Sequence, residues 1–165
     1  MKKVIVIGCP GSGKSTFSKK LAEATSLPLY HLDMMYWNHD KTKVEKELFR
    51  KHLADVMAMN EWIIDGNYAS TMEWRMEACD TVIFLDYPTE VCLEGLEARR
   101  GKPRTDMPWI EPENEVDEEF VAYVKAYNTE NRPQVMSLLE KYSSKEIVIF
   151  KSRKEADEFL DRKKV

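Results

Sequence analysis

Apolar residues recur along the chain in two alternating rhythms. Short continuous runs, Val4–Ile7, Leu27–Leu32, Trp62–Ile64, Thr81–Leu85 and Ile147–Phe150, predict strands. Their lack of polar alternation fits strands covered on both faces. Between them the spacing becomes helical: Phe17, Leu21 and Ala24, then Val44, Leu48, Phe49, Leu53, Val56 and Met57, and later Phe120, Val121, Val124 and Tyr127. Start signals bound these helices. Thr42-x-x-Glu45, Ser70-x-x-Glu73 and Ser152-x-x-Glu155 read as capping boxes, Pro88 as a helix-start proline and Asp117 as a cap. They predict helices from Thr42 to about Met59, Thr71 to Ala78, Pro88 to about Arg100 and Ser152 through Leu160. Met34–Asp40 reads as irregular, and Pro133 either kinks a helix or starts a new one.

Strands alternating with helices dictate an α/β fold, a parallel sheet with helices on both faces, in a single domain over residues 1–165. Residues 101–114 break both rhythms: three prolines, Trp109 and alternating charge occupy a stretch too long for a plain connection. This segment, about residues 100–116, is expected to be a lid.

The first strand runs straight into Gly8-Cys9-Pro10-Gly11-Ser12-Gly13-Lys14-Ser15, followed by Thr16 at the start of a helix. Strand, glycine loop with G-x-x-x-x-G-K-[ST] spacing, and helix together make a phosphate site. Glycines let consecutive amides converge on an anion, and the helix N-terminus adds partial positive charge. Lys14 reaches the β- and γ-phosphates and the Ser15 hydroxyl ligates Mg²⁺, so residues 8–16 predict binding of a nucleoside triphosphate. In parallel sheets, ligands sit beyond the carboxyl ends of the strands. Three of the runs end there in an aspartate: Asp33, Asp65 and Asp86.

Composition narrows the class. A net charge of −4 gives no bulk electrostatic case for nucleic acid or an anionic membrane. No apolar run approaches the length of a membrane-spanning helix, and Met-Lys-Lys followed directly by a strand is not a signal peptide. The three cysteines, Cys9, Cys79 and Cys92, lack metal or CxxC spacing, which points to a reducing, cytoplasmic compartment.

With the phosphate loop, the five strands, LDMMYW at 32–37, WIIDGNY at 62–68 and VIFLDYP at 82–88, the chain resembles small P-loop kinases of the adenylate kinase and shikimate kinase group over nearly its whole length. Within that group it is most similar to the FlaR-type "DNA topology modulation" proteins. The HLD-x-x-x-W and D-G-N-Y segments carry that likeness, with R-x-D-M at Arg104–Met107. The resemblance implies a P-loop NTPase three-layer sandwich with sheet order 2-3-1-4-5, a lid between the fourth strand and the long helices, and ATP as donor. One departure bears on the acceptor. The G-F-P-R segment of adenylate kinases is replaced by Gly66-Asn67-Tyr68-Ala69, against a nucleoside monophosphate acceptor.

The residue patterns, with the resemblance for Asp33, Arg104 and Arg132, distribute roles. Asp33 would orient or deprotonate an acceptor hydroxyl, or simply end a strand as a loop or capping residue. Asp65, followed by Gly66, is favoured over Asp86 as the acid that helps Ser15 hold Mg²⁺, and Asp86 reads as a helix cap or turn residue. Arg104 and Arg132 would close over the transferred phosphate beside Lys14, with Arg99 stacking on the donor base. Arg100 reads as solvated or favourable at a helix C-terminus. Trp37 and Tyr68 are candidates for an acceptor pocket and Trp62 for the core, with Tyr36 and Trp74 near by. Arg75 would pair an acceptor anion or face solvent. The histidines show no catalytic or metal spacing, and His39 and His52 read as surface residues.

The resulting expectation is an ATP- and Mg²⁺-dependent phosphotransferase acting on a small acceptor: a nucleoside, nucleotide or hydroxylated metabolite. The alternative is a nucleotide-binding or hydrolysing regulatory protein with an indirect effect on DNA topology. Against it, the chain has no D-x-x-G after a strand, no N-K-x-D and no LSGGQ-like segment. No direct nucleic-acid or membrane partner is expected.

Overall fold

A computed structural model of the chain describes residues 1–102, 108 and 117–164. Arg104 and most of the expected lid fall outside these residues. The elements run β1 (Lys3–Gly8), α1 (Lys14–Thr25), β2 (Leu29–His31), α2 (Leu32–Tyr36), α3 (Lys46–Met57), β3 (Trp62–Asp65), α4 (Ala69–Ala78) and β4 (Thr81–Leu85). Then follow α5 (Thr89–Arg99), α6 (Glu118–Glu130), α7 (Arg132–Lys141), β5 (Glu146–Phe150) and α8 (Arg153–Lys163). The strands form one parallel sheet in the order β2-β3-β1-β4-β5, as the kinase resemblance implies.

Successive side chains of a strand point to opposite faces, so the all-apolar strands feed two cores. Val4, Val6, Ile63, Ile83 and Leu85 pack against Phe17 and Leu21 of α1, Cys92 of α5, Val124 of α6 and Phe159 of α8. Ile5, Ile7, Ile64, Val82 and Phe84 pack against Phe49 and Leu53 of α3, Met76 of α4 and Leu139 of α7. The result is three layers, with the strand ends and their acidic residues gathered on one edge beside the phosphate loop.

Local starts differ from expectation in four places. Leu32–Tyr36 is a short helix, where Leu32 is expected to end a strand and Met34–Tyr36 to be irregular. The Thr42-x-x-Glu45 box does not cap α3. Those residues instead close a small hairpin, with Asn38 N bonded to Thr42 O at 2.8 Å and Val44 N to Tyr36 O at 2.8 Å. The Thr42 hydroxyl is spent on Asp40 and α3 begins only at Lys46. Helix α4 starts at Ala69 after Tyr68, without a cap from Ser70. Asp86 is neither cap nor turn residue but the centre of an ion-pair cluster, described below. Asp117 and Ser152 cap as expected, accepting from Phe120 N at 3.0 Å and Glu155 N at 3.3 Å. Pro133 sits in the first turn of a new helix, α7.

Candidate active site

The phosphate loop is shaped by close packing. Gly11 and Gly13 adopt left-handed backbone at φ 86° and 94°, conformations that glycine enters without a side-chain penalty. A Cβ on Gly11 would fall on the Cys92 carbonyl oxygen, and one on Gly95 on the Gly11 carbonyl oxygen. Helix α5 is therefore the wall on which the loop rests. From the far end of the chain, Arg153 donates to Ser12 O at 3.0 Å and Gly11 O at 3.4 Å. Because a peptide N–H points opposite to the preceding C=O, tying back the Ser12 carbonyl leaves the Gly13 amide for an anion, while the Ser12 amide is spent on Cys9 O at 3.0 Å. No local sequence signal links Arg153 to a loop 141 residues away.

Pro10, Gly11, Gly13, Lys14, Ser15 and Thr16 line a cleft of about 1170 Å³. The remaining predicted loop residues support it from behind: Cys9 and Ser12 are buried, and Gly8 is held by Asn67. The Cys9 thiol is pushed far above its usual range by its hydrogen bond with the Cys92 thiol and by burial. Lys14 Nζ lies 3.5 Å from Cys9 O. Burial lowers its pKa, and the carboxylates of Asp65 and Asp33 act against that shift.

Those two aspartates line the same cleft. Asp65 ends β3 in register with His31 of β2, and His31 Nδ1 lies 2.6 Å from Asp65 Oδ2 with both side chains nearly buried. The histidine partner was missed because it depends on strand register, which spacing does not reveal. Asp33 lies in the first turn of α2 and accepts a hydrogen bond from Tyr68 Oη. Burial and the Asp33 charge raise the Tyr68 pKa well above that of a free phenol, so its proton stays in place.

Arg75 neither pairs an external anion nor faces solvent. It is fully buried and donates to Thr71 Oγ1 at 3.1 Å, Gly66 O at 3.0 Å, Tyr68 O at 3.2 Å and Asn67 O. Burial pulls its pKa down to about 9. This grip holds Tyr68 in its left-handed backbone at φ 33°, a conformation costing on the order of 1 kcal/mol for a residue other than glycine. It also presents Asn67 to the first residue of the phosphate loop, with Gly8 N to Asn67 Oδ1 at 3.1 Å and Asn67 Nδ2 to Gly8 O at 2.6 Å. One buried guanidinium thus fixes the Tyr68–Asp33 pair relative to the phosphate loop.

Arg132 is placed differently from expectation. It forks onto Asp86 with Nε–Oδ1 and Nη2–Oδ2 both at 2.8 Å, and Lys151 Nζ reaches Oδ2 at 2.5 Å. Burial works to raise the Asp86 pKa, but the two cations outweigh it and hold the carboxyl below its ordinary value. Neither Arg132 nor Asp86 is among the residues lining the cleft. Arg99 does line it, with its guanidinium 5.7 Å from the Phe120 ring centre.

The opposite wall carries Trp37, Tyr68, Met72, Val135 and Leu138. Tyr36 braces it, its ring 4.9 Å from that of Trp37 and 4.5 Å from that of Tyr68. Trp62 is buried in the core as expected, and Trp74 lies under the Arg50 guanidinium instead. His39 and His52 are exposed. Among the described residues no three His, Cys, Asp or Glu side chains cluster as a ready metal cage. Ser15 and Asp65 line the cleft and bring a hydroxyl and a carboxylate to it.

The fold recurs in solved structures. Shikimate kinase from Bacteroides thetaiotaomicron is 19% identical, with 96% of this chain and 94% of that one covered at a TM-score of 0.55. Shikimate kinase from Aquifex aeolicus is 19% identical, with 96% and 91% covered at a TM-score of 0.53. At this identity the likeness is one of fold: a P-loop NTPase sandwich. No curated protein matches the sequence. The family model described as "AAA domain" matches residues 4–122, from β1 across the phosphate loop and β4 into α6, and the chain belongs to that family of P-loop domains.

Proposed function

We propose that this protein is a kinase that moves the γ-phosphoryl group of ATP to a hydroxyl of a small molecule. One observation carries the reading: the phosphate loop and the Asp33–Tyr68 pair line a single cleft, with the Lys14 ammonium within the field of Asp33 and Asp65. A switch that only binds or hydrolyses nucleotide has no use for the second half of that arrangement. The shikimate kinase-like fold supports a small-molecule acceptor.

The chain's residues divide the task. The amides of Gly11 and of Gly13, Lys14 and Ser15, with the Lys14 ammonium, hold the donor phosphates, and Arg99 packs at the donor base. Ser15 and Asp65 are the oxygens suited to Mg²⁺, which supplies charge neutralisation on the phosphates. Asp33, aimed by Tyr68, orients the acceptor hydroxyl and receives its proton as the new P–O bond forms. Phosphoryl transfer asks mainly for such positioning and charge stabilisation. Arg104 and Arg132 are the clamps on the moving group. Arg132 reaches it by exchanging Asp86 for the phosphate, and Lys151 continues to balance Asp86.

The finer likeness to the FlaR-type proteins suits this reading with any effect on DNA topology indirect, given the net charge of −4. Three buried cysteines without a disulfide support a cytoplasmic site. Among the described residues no helix is long and apolar enough to cross a membrane. The test is incubation with γ-labelled ATP, Mg²⁺ and a broad mixture of hydroxylated metabolites. Label on an organic product supports the kinase, and steady release of inorganic phosphate with no organic product contradicts it.

A further inference from the structure

We infer that Arg153 is a positioning residue for the donor phosphates: from the start of α8 it locks the phosphate loop in its anion-binding form, so affinity for the triphosphate is set in part by the C-terminal turn of the chain. The inference rests on the phosphate-binding part of the reading above and concerns the donor half of the cleft.

Two peptide units in the middle of the loop are held in different ways. The Gly11–Ser12 unit is fixed at both ends, with Ser12 N on Cys9 O at 3.0 Å and Gly11 O accepting from Arg153 Nη2 at 3.4 Å. The Ser12–Gly13 unit is fixed at its carbonyl, which accepts from Arg153 Nη1 at 3.0 Å. Its N–H is the one left for an anion. Gly11 and Gly13 both have left-handed backbone, at φ 86° and 94°. Glycine passes easily between left- and right-handed conformations, so the chain itself resists rotation of the Ser12–Gly13 unit weakly. A rotated unit would present the Ser12 carbonyl oxygen where the Gly13 N–H stood, an acceptor facing a phosphate. The guanidinium fork opposes that rotation. Its approach also needs glycine at position 13, where a Cβ would come within 2.9 Å of Arg153 Nη1.

Nothing in α8 itself accounts for an arginine at this place. Arg153 is the first residue of the helix, after the Ser152 cap, and the positive end of a helix dipole disfavours a cation there. Among the described residues no carboxylate pairs with it, and its terminal nitrogens end on neutral carbonyls. Its guanidinium lies 5.6 Å from the ring centre of Tyr87 and lines the cleft. The turn that carries it is anchored on both sides: Lys151 Nζ reaches Asp86 Oδ2 at 2.5 Å, and Ser152 Oγ accepts from Glu155 N at 3.3 Å. The arginine is thus held against the phosphate loop at a locally unfavourable helix position.

The experiment titrates Mg²⁺–ATP and inorganic triphosphate with Mg²⁺ into the wild type, Arg153→Met and Arg153→Lys by calorimetry. Arg153→Met should weaken both ligands by a common factor of about tenfold or more, the scale of a lost charged hydrogen bond. The Tm of the ligand-free variant should be unchanged or higher, since a cation leaves the helix N-terminus. A general structural role would lower it. Arg153→Lys keeps the charge without the planar fork and should recover only a small part of the affinity. Unchanged affinity in Arg153→Met, a loss confined to ATP, or full recovery in Arg153→Lys each overturns this inference and leaves the kinase reading standing. Failure of the wild type to bind either ligand overturns both.

Discussion

His31 and Asp65 meet at the carboxyl ends of neighbouring parallel strands, Nδ1 to Oδ2 at 2.6 Å. The contact fixes one oxygen of Asp65 and leaves the other for the cleft that also holds Ser15. If Asp65 helps to hold Mg²⁺, Asp65→Asn should raise the Mg²⁺ concentration for half-maximal activity about tenfold or more, in line with losing one oxygen ligand. His31→Ala should shift it in the same direction by less. A Mg²⁺ titration unmoved by either change contradicts the assignment.

Asp33→Asn keeps the shape of the site and removes the proton acceptor. Turnover should fall by about 10²- to 10⁴-fold, the span of general base contributions, with ATP affinity held within about twofold because the phosphate loop is untouched. Tyr68→Phe removes the Tyr68 hydrogen bond to the Asp33 carboxylate and should lower kcat by about tenfold, a positioning loss, not a chemical one. Single-turnover kinetics with separately measured ATP binding distinguish these outcomes.

Arg75→Met retains bulk in the core but leaves the carbonyls of Gly66, Asn67 and Tyr68 without their shared donor. Unmade buried hydrogen bonds cost about 1–3 kcal/mol each in general, so unfolding free energy should drop by about 2–5 kcal/mol. Because the loop aims Tyr68 at Asp33, kcat should fall more than ATP affinity even where the variant is folded. A variant with lower stability but an unchanged ratio of transfer to hydrolysis removes Arg75 from the positioning role.

Asp86 gives a pH signature. Its folded-state pKa is held below the ordinary carboxylate value, so the native state binds fewer protons than the unfolded chain in that range. The stability it contributes is present above the unfolded value of about 4 and disappears as pH falls through the folded one. Thermal melts of the wild type should lose Tm more steeply below pH 4 than melts of Asp86→Asn, with the variant less stable at pH 7. Parallel acid profiles contradict the ion-pair account.

Much of this architecture is local in origin and therefore legible. Val4–Ile7, the glycines and Lys14 are contiguous, so strand, loop and helix read directly from the chain, and apolar runs ending in Asp65 and Asp86 mark the active edge. Helix α2 is five residues long, too short to show a period, so its Met34–Tyr36 half reads as irregular chain. Thr42 and Glu45 have capping spacing, but the hairpin around Lys41 takes up the hydroxyl first. The functional fate of the arginines lies in tertiary partners. Arg132 and Lys151 reach Asp86 from 46 and 65 residues away. Arg75 bonds close in sequence, yet its burial depends on how α4 packs against the sheet, which no pattern of residues displays.

The central claim is that the phosphate loop and the Asp33–Tyr68 pair work on one transferred group. Its most direct measurement is the partition of label from γ-labelled ATP between organic product and inorganic phosphate, for the wild type and for Asp33→Asn, in the presence of a broad panel of hydroxylated small molecules. The account predicts that the wild type places most label on an organic hydroxyl and that Asp33→Asn loses this transfer while still binding ATP. Label released only as inorganic phosphate, at equal rates in both proteins, would contradict it.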